Sequence, residues 1–269
     1  MESSVEMPKR PSLIPGFDAS KLPWWAIALI MLGLAMSILI FSDQDYNDTF
    51  IYLKDGVVTT LRITFFAYIA ATVLGLFTGL ARVSKNPILF NVSTFYVETI
   101  RGIPLVVLLL YIAFALVPVF IESMAKIGIN ISIRDVPMEL RAIIALAVGY
   151  GAYEGEVFRA GIQSIGKGQM EAARALGLSY IQAMQHVILP QAIRRVLPPL
   201  GNDFIALLKD SSLATVLAVN ELTQLGRLRR ASTFRVLETF NVMAFLYLAM
   251  TLALSAGVRW LEEKMRILE

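Results

Sequence analysis

The chain has 269 residues, of which 57% are hydrophobic and 17% charged, with a mean hydropathy of +0.65. An ordinary soluble domain carries about 25% charged residues, so a water-soluble globule is excluded in favour of a polytopic membrane protein. The absence of cysteine excludes disulfides and thiolate metal sites, the single histidine His186 leaves little for a transition metal, and a net charge of +3 says nothing about nucleic acid.

Residues 1–23 contain acidic residues and four prolines and have no apolar core, so a flexible cytoplasmic tail is expected here and not a signal peptide. A bilayer core of about 30 Å needs about 20 apolar residues in a helix, and six segments qualify. The first is 24–41, with Trp24 and Trp25 suited to the membrane interface. An acidic polar loop is expected at 42–56, then a second span at 57–81 that contains Arg62 and the Gly75/Gly79 pair. Residues 88–120 are too long for one crossing. Their polar first half is expected along the interface, with Pro104 opening the span proper. A loop at 121–140 leads to a fourth span at 141–160, which holds the Gly151/Gly155 pair. The fifth span is expected at about 200–219, entered through Pro198 and Pro199 in its first turn. A loop at 221–235 with four arginines precedes the sixth span, 236–258, and a charged amphipathic tail.

Most Lys and Arg residues fall on the side of the N-terminus, so both termini are expected in the cytoplasm. The arginines of 221–235 oppose that bias.

Between the fourth and fifth spans, residues 161–199 are polar, basic and dense in punctuation. A short helix is expected through Gln169–Leu176, ended by Gly177 in the left-handed conformation. Ser179 with Gln182 fits a capping box that opens a second helix, which is expected to fade near Leu189 because Pro190 cannot continue the ladder. Glu171 sits near a helix start, where an anion is favoured. Ala172 and Ala173 let a partner backbone approach closely.

This hairpin resembles the EAA loop of ABC importer permeases: Glu171-Ala172-Ala173, Gly177, Val187 where Ile is usual, then Leu189-Pro190. Flanking residues resemble the polar amino-acid branch: Tyr96-Val97-Glu98 with Arg101-Gly102-Ile103-Pro104, Ala152-Tyr153 with Glu156-Val157-Phe158-Arg159, and Lys209-Asp210-Ser211-Ser212-Leu213. The resemblance implies an all-α type I importer transmembrane domain at 56–260, a five-helix core, with the helix 24–41 added at its N-terminal side and a cytoplasmic tail at 261–269. It implies that the hairpin is a coupling helix, with Glu171, Ala172, Ala173, Arg174, Gly177, Leu189 and Pro190 serving an ABC ATPase. It also implies a second permease subunit, a substrate-binding protein, a polar amino acid as cargo, and the bacterial inner membrane. No phosphate-binding Gly-x-x-x-x-Gly-Lys-Ser/Thr occurs, so no cofactor is expected in this chain, and ATP with Mg2+ belongs to the partner.

Charges within spans are costly and usually face a cavity or each other. Glu98 with Arg101 and Glu156 with Arg159 are spaced to pair on one helix face. Glu154 can hold a substrate ammonium and Arg62 its carboxylate. Each also has a structural reading, as an ion pair or a snorkelling side chain. Lys209, Asp210, Ser211 and Ser212 read equally as a pore lining or as interhelical glue. The glycine pairs read as helix packing. Two rivals remain. An ion-gradient-driven secondary transporter would show inverted repeats, and none is visible. A membrane enzyme would need clustered catalytic groups, which a single histidine and no cysteine do not supply.

Overall fold

The computed structural model describes residues 23–266, so the expected N-terminal tail lies outside it apart from Pro23, as does the end of the C-terminal tail. Eleven α-helices account for most of the described residues. α1 (Trp24–Ser42) and α2 (Gln44–Val83) are separated by one residue, Asp43, whose carboxylate accepts from the backbone N–H groups of Asp45 and Tyr46 at 2.9 and 3.2 Å. That cap starts α2 thirteen residues before the expected span. The acidic stretch 42–56 is therefore helix and not loop, because its apolar members Phe50 and Leu53 pack on α1 and on the start of α11. At 40 residues α2 is about 60 Å long, twice the thickness of a bilayer core.

Asn86 caps α3 (Pro87–Arg101) with Pro87 in its first turn. Pro104 then precedes α4 (Leu105–Tyr111), so the expected division of 88–120 is found. A π turn at Ile112–Leu116 joins α4 to α5 (Val117–Lys126), extending this span past its expected end. α6 (Met138–Gln163) begins earlier and ends later than expected and is the most enclosed helix, with twelve buried residues. α7 (Lys167–Ala175) and α8 (Tyr180–Ala183) form the hairpin.

The second arm does not fade at Leu189. A π turn, Met184–Ile188, carries α8 directly into α9 (Leu189–Asp210). A proline ring normally clashes with the carbonyl four residues back. For Pro190 that carbonyl belongs to His186, inside the widened turn, and the wider turn makes room for the ring. Pro198 and Pro199 lie in the interior of α9 and not at the entry to a span.

The expected fifth span is interrupted. α9 stops at Asp210, a 3-10 turn runs over Ser211–Leu217, and Ala218 reverses the chain at φ +54°. The expected loop 221–235 is mostly α10 (Leu222–Thr233), capped by Glu221. α11 (Val236–Arg266) continues the sixth span through most of the expected tail.

By length and composition, α1, α2, Leu105–Lys126 and Val236–Lys264 can cross a membrane. α6 and α9 are long enough to cross as well, at about 39 and 33 Å, but carry charge and sit inside the bundle. The main core gathers Ile63 and Ala67 of α2, Leu109 of α4, Leu146 of α6 and Leu207 of α9. A second core joins Met36, Leu53, Leu222 and Val242 from α1, α2, α10 and α11.

Candidate functional site

Three short-range rules build the hairpin. Gly177 takes φ +86°, a conformation that costs other residues a Cβ clash. The Gly177 and Leu178 N–H groups then close the end of α7 on the carbonyls of Arg174 and Ala173, at 3.1 and 3.2 Å. Ser179 and Gln182 form the expected capping box, with side-chain to backbone bonds of 2.8 and 3.2 Å.

Ala173 is buried, whereas Glu171, Ala172, Arg174 and Gly177 face outward. The hairpin holds itself together through Ile165, Ile188 and Ala192, with Leu189 half-buried and Pro190 exposed. Arg195 ties the second arm to the first by donating to the Ser164 carbonyl at 2.6 Å. The turn also lifts Leu176 (84% exposed), Tyr180 and Ile181 into the open. This apolar tip was missed in the sequence. Its signal was the placement of these side chains on both sides of Gly177.

The hairpin arms lead into α6 and α9, and α6 is bound tightly to α2. A methyl on Gly75 would come within 2.7 Å of the Glu154 Cβ, and one on Gly79 within 2.5 Å of the Phe158 Cβ. Gly155 lies on Thr78 and Gly151 on Leu74, so the two glycine pairs face each other and serve packing. Ion pairs join this contact towards both ends. Arg62 grips Glu139 with two bonds of 2.6 and 2.7 Å, and Arg82 reaches Glu156 at 2.7 Å.

The expected pairing of Glu98 with Arg101 does not form. Glu98 accepts from Arg82 at 3.2 Å, and the Arg101 guanidinium lies over the Tyr153 ring at 5.4 Å. Arg82 comes from another helix and bridges Glu98 and Glu156. The pairing of Glu156 with Arg159 does form, and Arg159 also donates to Gln163 at 2.6 Å. Arg62 is occupied by Glu139, an intrachain carboxylate.

Glu154 is fully buried, and among the described residues neither carboxylate oxygen has a hydrogen-bond partner. The same holds for Thr72 Oγ1 and Asp203 Oδ2, in helices packed against α6. Of the polar group that ends α9, Lys209 is exposed, Asp210 accepts from the Tyr150 hydroxyl at 2.7 Å, and buried Ser211 donates to the Leu208 carbonyl at 2.7 Å. Ser212 is half-buried beside them.

Two buried charged residues escaped the sequence reading. Arg141 is 5% exposed and donates to the carbonyls of Val136, Ala113 and Ile133 at 2.8, 3.0 and 3.0 Å. Ala113 lies in the π turn of the third span, so Arg141 fastens that turn to the start of α6. Glu221 accepts from Thr223 and Gln224 N–H groups at 2.8 and 2.7 Å and from the Tyr247 hydroxyl at 3.0 Å. Three arginines of 221–235 have intrachain partners. Arg235 meets Asp45 at 2.7 Å, Arg229 lies over Tyr52, and Arg227 reaches Thr215 and Gln224.

Residues 71–267 match the family described as binding-protein-dependent transport system inner membrane component. The glutamine transport system permease protein GlnP of Escherichia coli strain K12 is 40% identical over 216 residues, covering 80% of this chain and 94% of the relative. The probable glutamine ABC transporter permease protein GlnM of Bacillus subtilis strain 168 is 39% identical, covering 81% and 95%. Among solved structures, a chain of an amino acid ABC transporter determined with histidines superposes with a TM-score of 0.68 at 36% identity, covering 84% of this chain and 98% of that one. The inward-facing MetNI methionine ABC transporter matches with a TM-score of 0.63 at 22% identity, which speaks to fold alone. With its hairpin, its paired inner helices and these relatives in agreement, the chain belongs to the family of binding-protein-dependent transport system inner membrane components.

Proposed function

We propose that this chain is the permease subunit of an ATP-driven importer for a polar amino acid, with glutamine the first candidate because the GlnP and GlnM relatives carry that name. Two permease subunits line the path, a substrate-binding protein delivers the amino acid from outside, and separate ATPase subunits bind ATP and Mg2+. The observation that carries this reading is the hairpin: a self-supported projection with an exposed Glu171 and an apolar tip at Leu176, Tyr180 and Ile181, continuous with both α6 and α9. A push on α7 reaches the bundle interior through two helices. ATP then shifts the balance between inward- and outward-open states by binding one arrangement of the ATPase pair better than the other.

On this reading the hairpin and the C-terminus lie in the cytoplasm and the chain resides in the bacterial inner membrane. Lys209, Asp210, Ser211 and Ser212, at the break that ends α9, are the first candidates for contact with the passing amino acid. Glu154 is the candidate that would require α6, α2 and α9 to part. The test is uptake of labelled glutamine and a panel of other amino acids into vesicles holding this chain, the ATPase and the binding protein. Uptake that needs ATP and survives an uncoupler supports the proposal. Uptake that persists without ATP and stops with the uncoupler favours an ion-driven transporter and overturns it.

A further inference from the structure

A cavity of about 730 Å3 lies between α9 and α11, with α2 at its floor. This is within the range of roughly 300–1,000 Å3 that encloses drug-sized ligands and is large for one amino acid. Tyr68 and Phe204, stacked with ring centroids 4.4 Å apart, form part of its apolar wall. Its rim, at the hairpin end of the bundle, is charged: Arg194 on α9, and Arg259, Glu262 and Glu263 on α11. Residues three and four apart on a helix are neighbours and can pair when opposite in charge. Arg259 stands three and four positions before the two glutamates, yet among the described residues Arg259, Glu262 and Glu263 enter no ion pair.

We propose that this cavity is a binding site for a zwitterionic aminophospholipid of the phosphatidylethanolamine class. The phosphate takes the Arg259 guanidinium, the ammonium takes the Glu262 and Glu263 carboxylates, and an acyl chain runs along Tyr68 and Phe204. The adjacent positive and negative groups of the rim match the adjacent phosphate and ammonium of one headgroup. A purely anionic headgroup would satisfy Arg259 and repel the glutamates. The apolar wall faces inward between spanning helices, where a lipid tail is at home. Basic pockets between such helices are known seats for anionic heads; the two carboxylates are what change the preference here. The site flanks the first turns of α9, so its occupant touches the arm that leaves the hairpin.

The test uses the assembled complex, stripped of lipid in detergent and titrated separately with phosphatidylethanolamine and phosphatidylglycerol under native mass spectrometry. Phosphatidylethanolamine is expected to be retained about tenfold more tightly, one per permease chain. Glu262→Gln with Glu263→Gln removes that preference while phosphatidylglycerol still binds, and Arg259→Gln weakens both lipids. Equal retention of the two lipids by the unaltered complex, or an unchanged preference in the double glutamine variant, overturns the proposal. The chain has no cysteine, so Phe204→Cys provides a second reading. Alkylation by a lipid-soluble maleimide that phosphatidylethanolamine blocks supports the site. A Phe204→Cys crosslink to a second permease copy overturns it, because the cavity is then an interface.

Discussion

Gly79 lies so close to Phe158 that a Cβ on the glycine would approach the Phe158 Cβ to 2.5 Å, with the Gly155 carbonyl oxygen 2.8 Å away. The near contact includes backbone, so neither helix can yield without moving whole. Gly79→Val is expected to destabilise the complex by about 1–3 kcal/mol, the usual cost of overpacking. Gly168→Ala is the control, since nothing lies within 4 Å of a Cβ there. Thermal unfolding in detergent measures both. Equal midpoints for the two variants would contradict the packing role.

The hairpin makes a prediction about coupling. Glu171→Trp replaces an exposed anion near the helix start by a bulky ring and leaves the internal hairpin contacts in place. ATP-driven uptake is expected to fall about tenfold or more, equivalent to roughly 1.4 kcal/mol of lost docking, while the amount of chain in the membrane stays the same. Leu176→Asp at the apolar tip should act in the same direction. The checks are uptake in vesicles and co-purification of the ATPase. Normal uptake in both variants would count against docking at this tip.

The Tyr150 hydroxyl donates to Asp210 where α9 gives way to the 3-10 turn. Tyr150→Phe keeps the ring and removes the donor that the carboxylate oxygen has among the described residues. A half-buried carboxylate deprived of its donor costs about 1–3 kcal/mol. The unfolding midpoint should drop, and uptake should change through KM or kcat if the break that ends α9 meets the cargo. An unaltered midpoint would show that water replaces the tyrosine.

Arg141 donates to three backbone carbonyls from within the protein. Arg141→Met removes donors from all three at once, and a loss of about 3 kcal/mol or more is expected. Arg141→Lys should rescue little, because an ammonium on a flexible stem cannot reproduce the planar fork. Comparison of unfolding in the two variants decides the matter. A lysine variant as stable as the parent would mean that charge alone suffices.

The exposed pair Arg62–Glu139 should matter less to stability. Arg62→Gln and Glu139→Gln are each expected to leave the unfolding midpoint almost unchanged, as exposed ion pairs contribute little. If Arg62 acts only through Glu139, the two variants leave the KM for the amino acid alike. A rise in KM confined to Arg62→Gln would place Arg62 on the path of the cargo.

Residues close in sequence determined much of this protein before any tertiary contact was known. Gly177 marked the left-handed turn, Ser179 and Gln182 the capping box, Pro104 the start of a span, and the apolar runs the membrane class. Each rule concerns groups within about four residues, where geometry leaves few alternatives. Only the tertiary structure decided which partners the charges take. Arg101 stands three residues from Glu98, yet Arg82 from α2 holds that carboxylate because α2, α3 and α6 converge there. Only the tertiary structure also turned the polar stretches 44–56 and 222–233 into helix. Their apolar side chains find cover on α1 and α11, and Glu221 finds buried donors, so packing outweighs the composition that argued for loops.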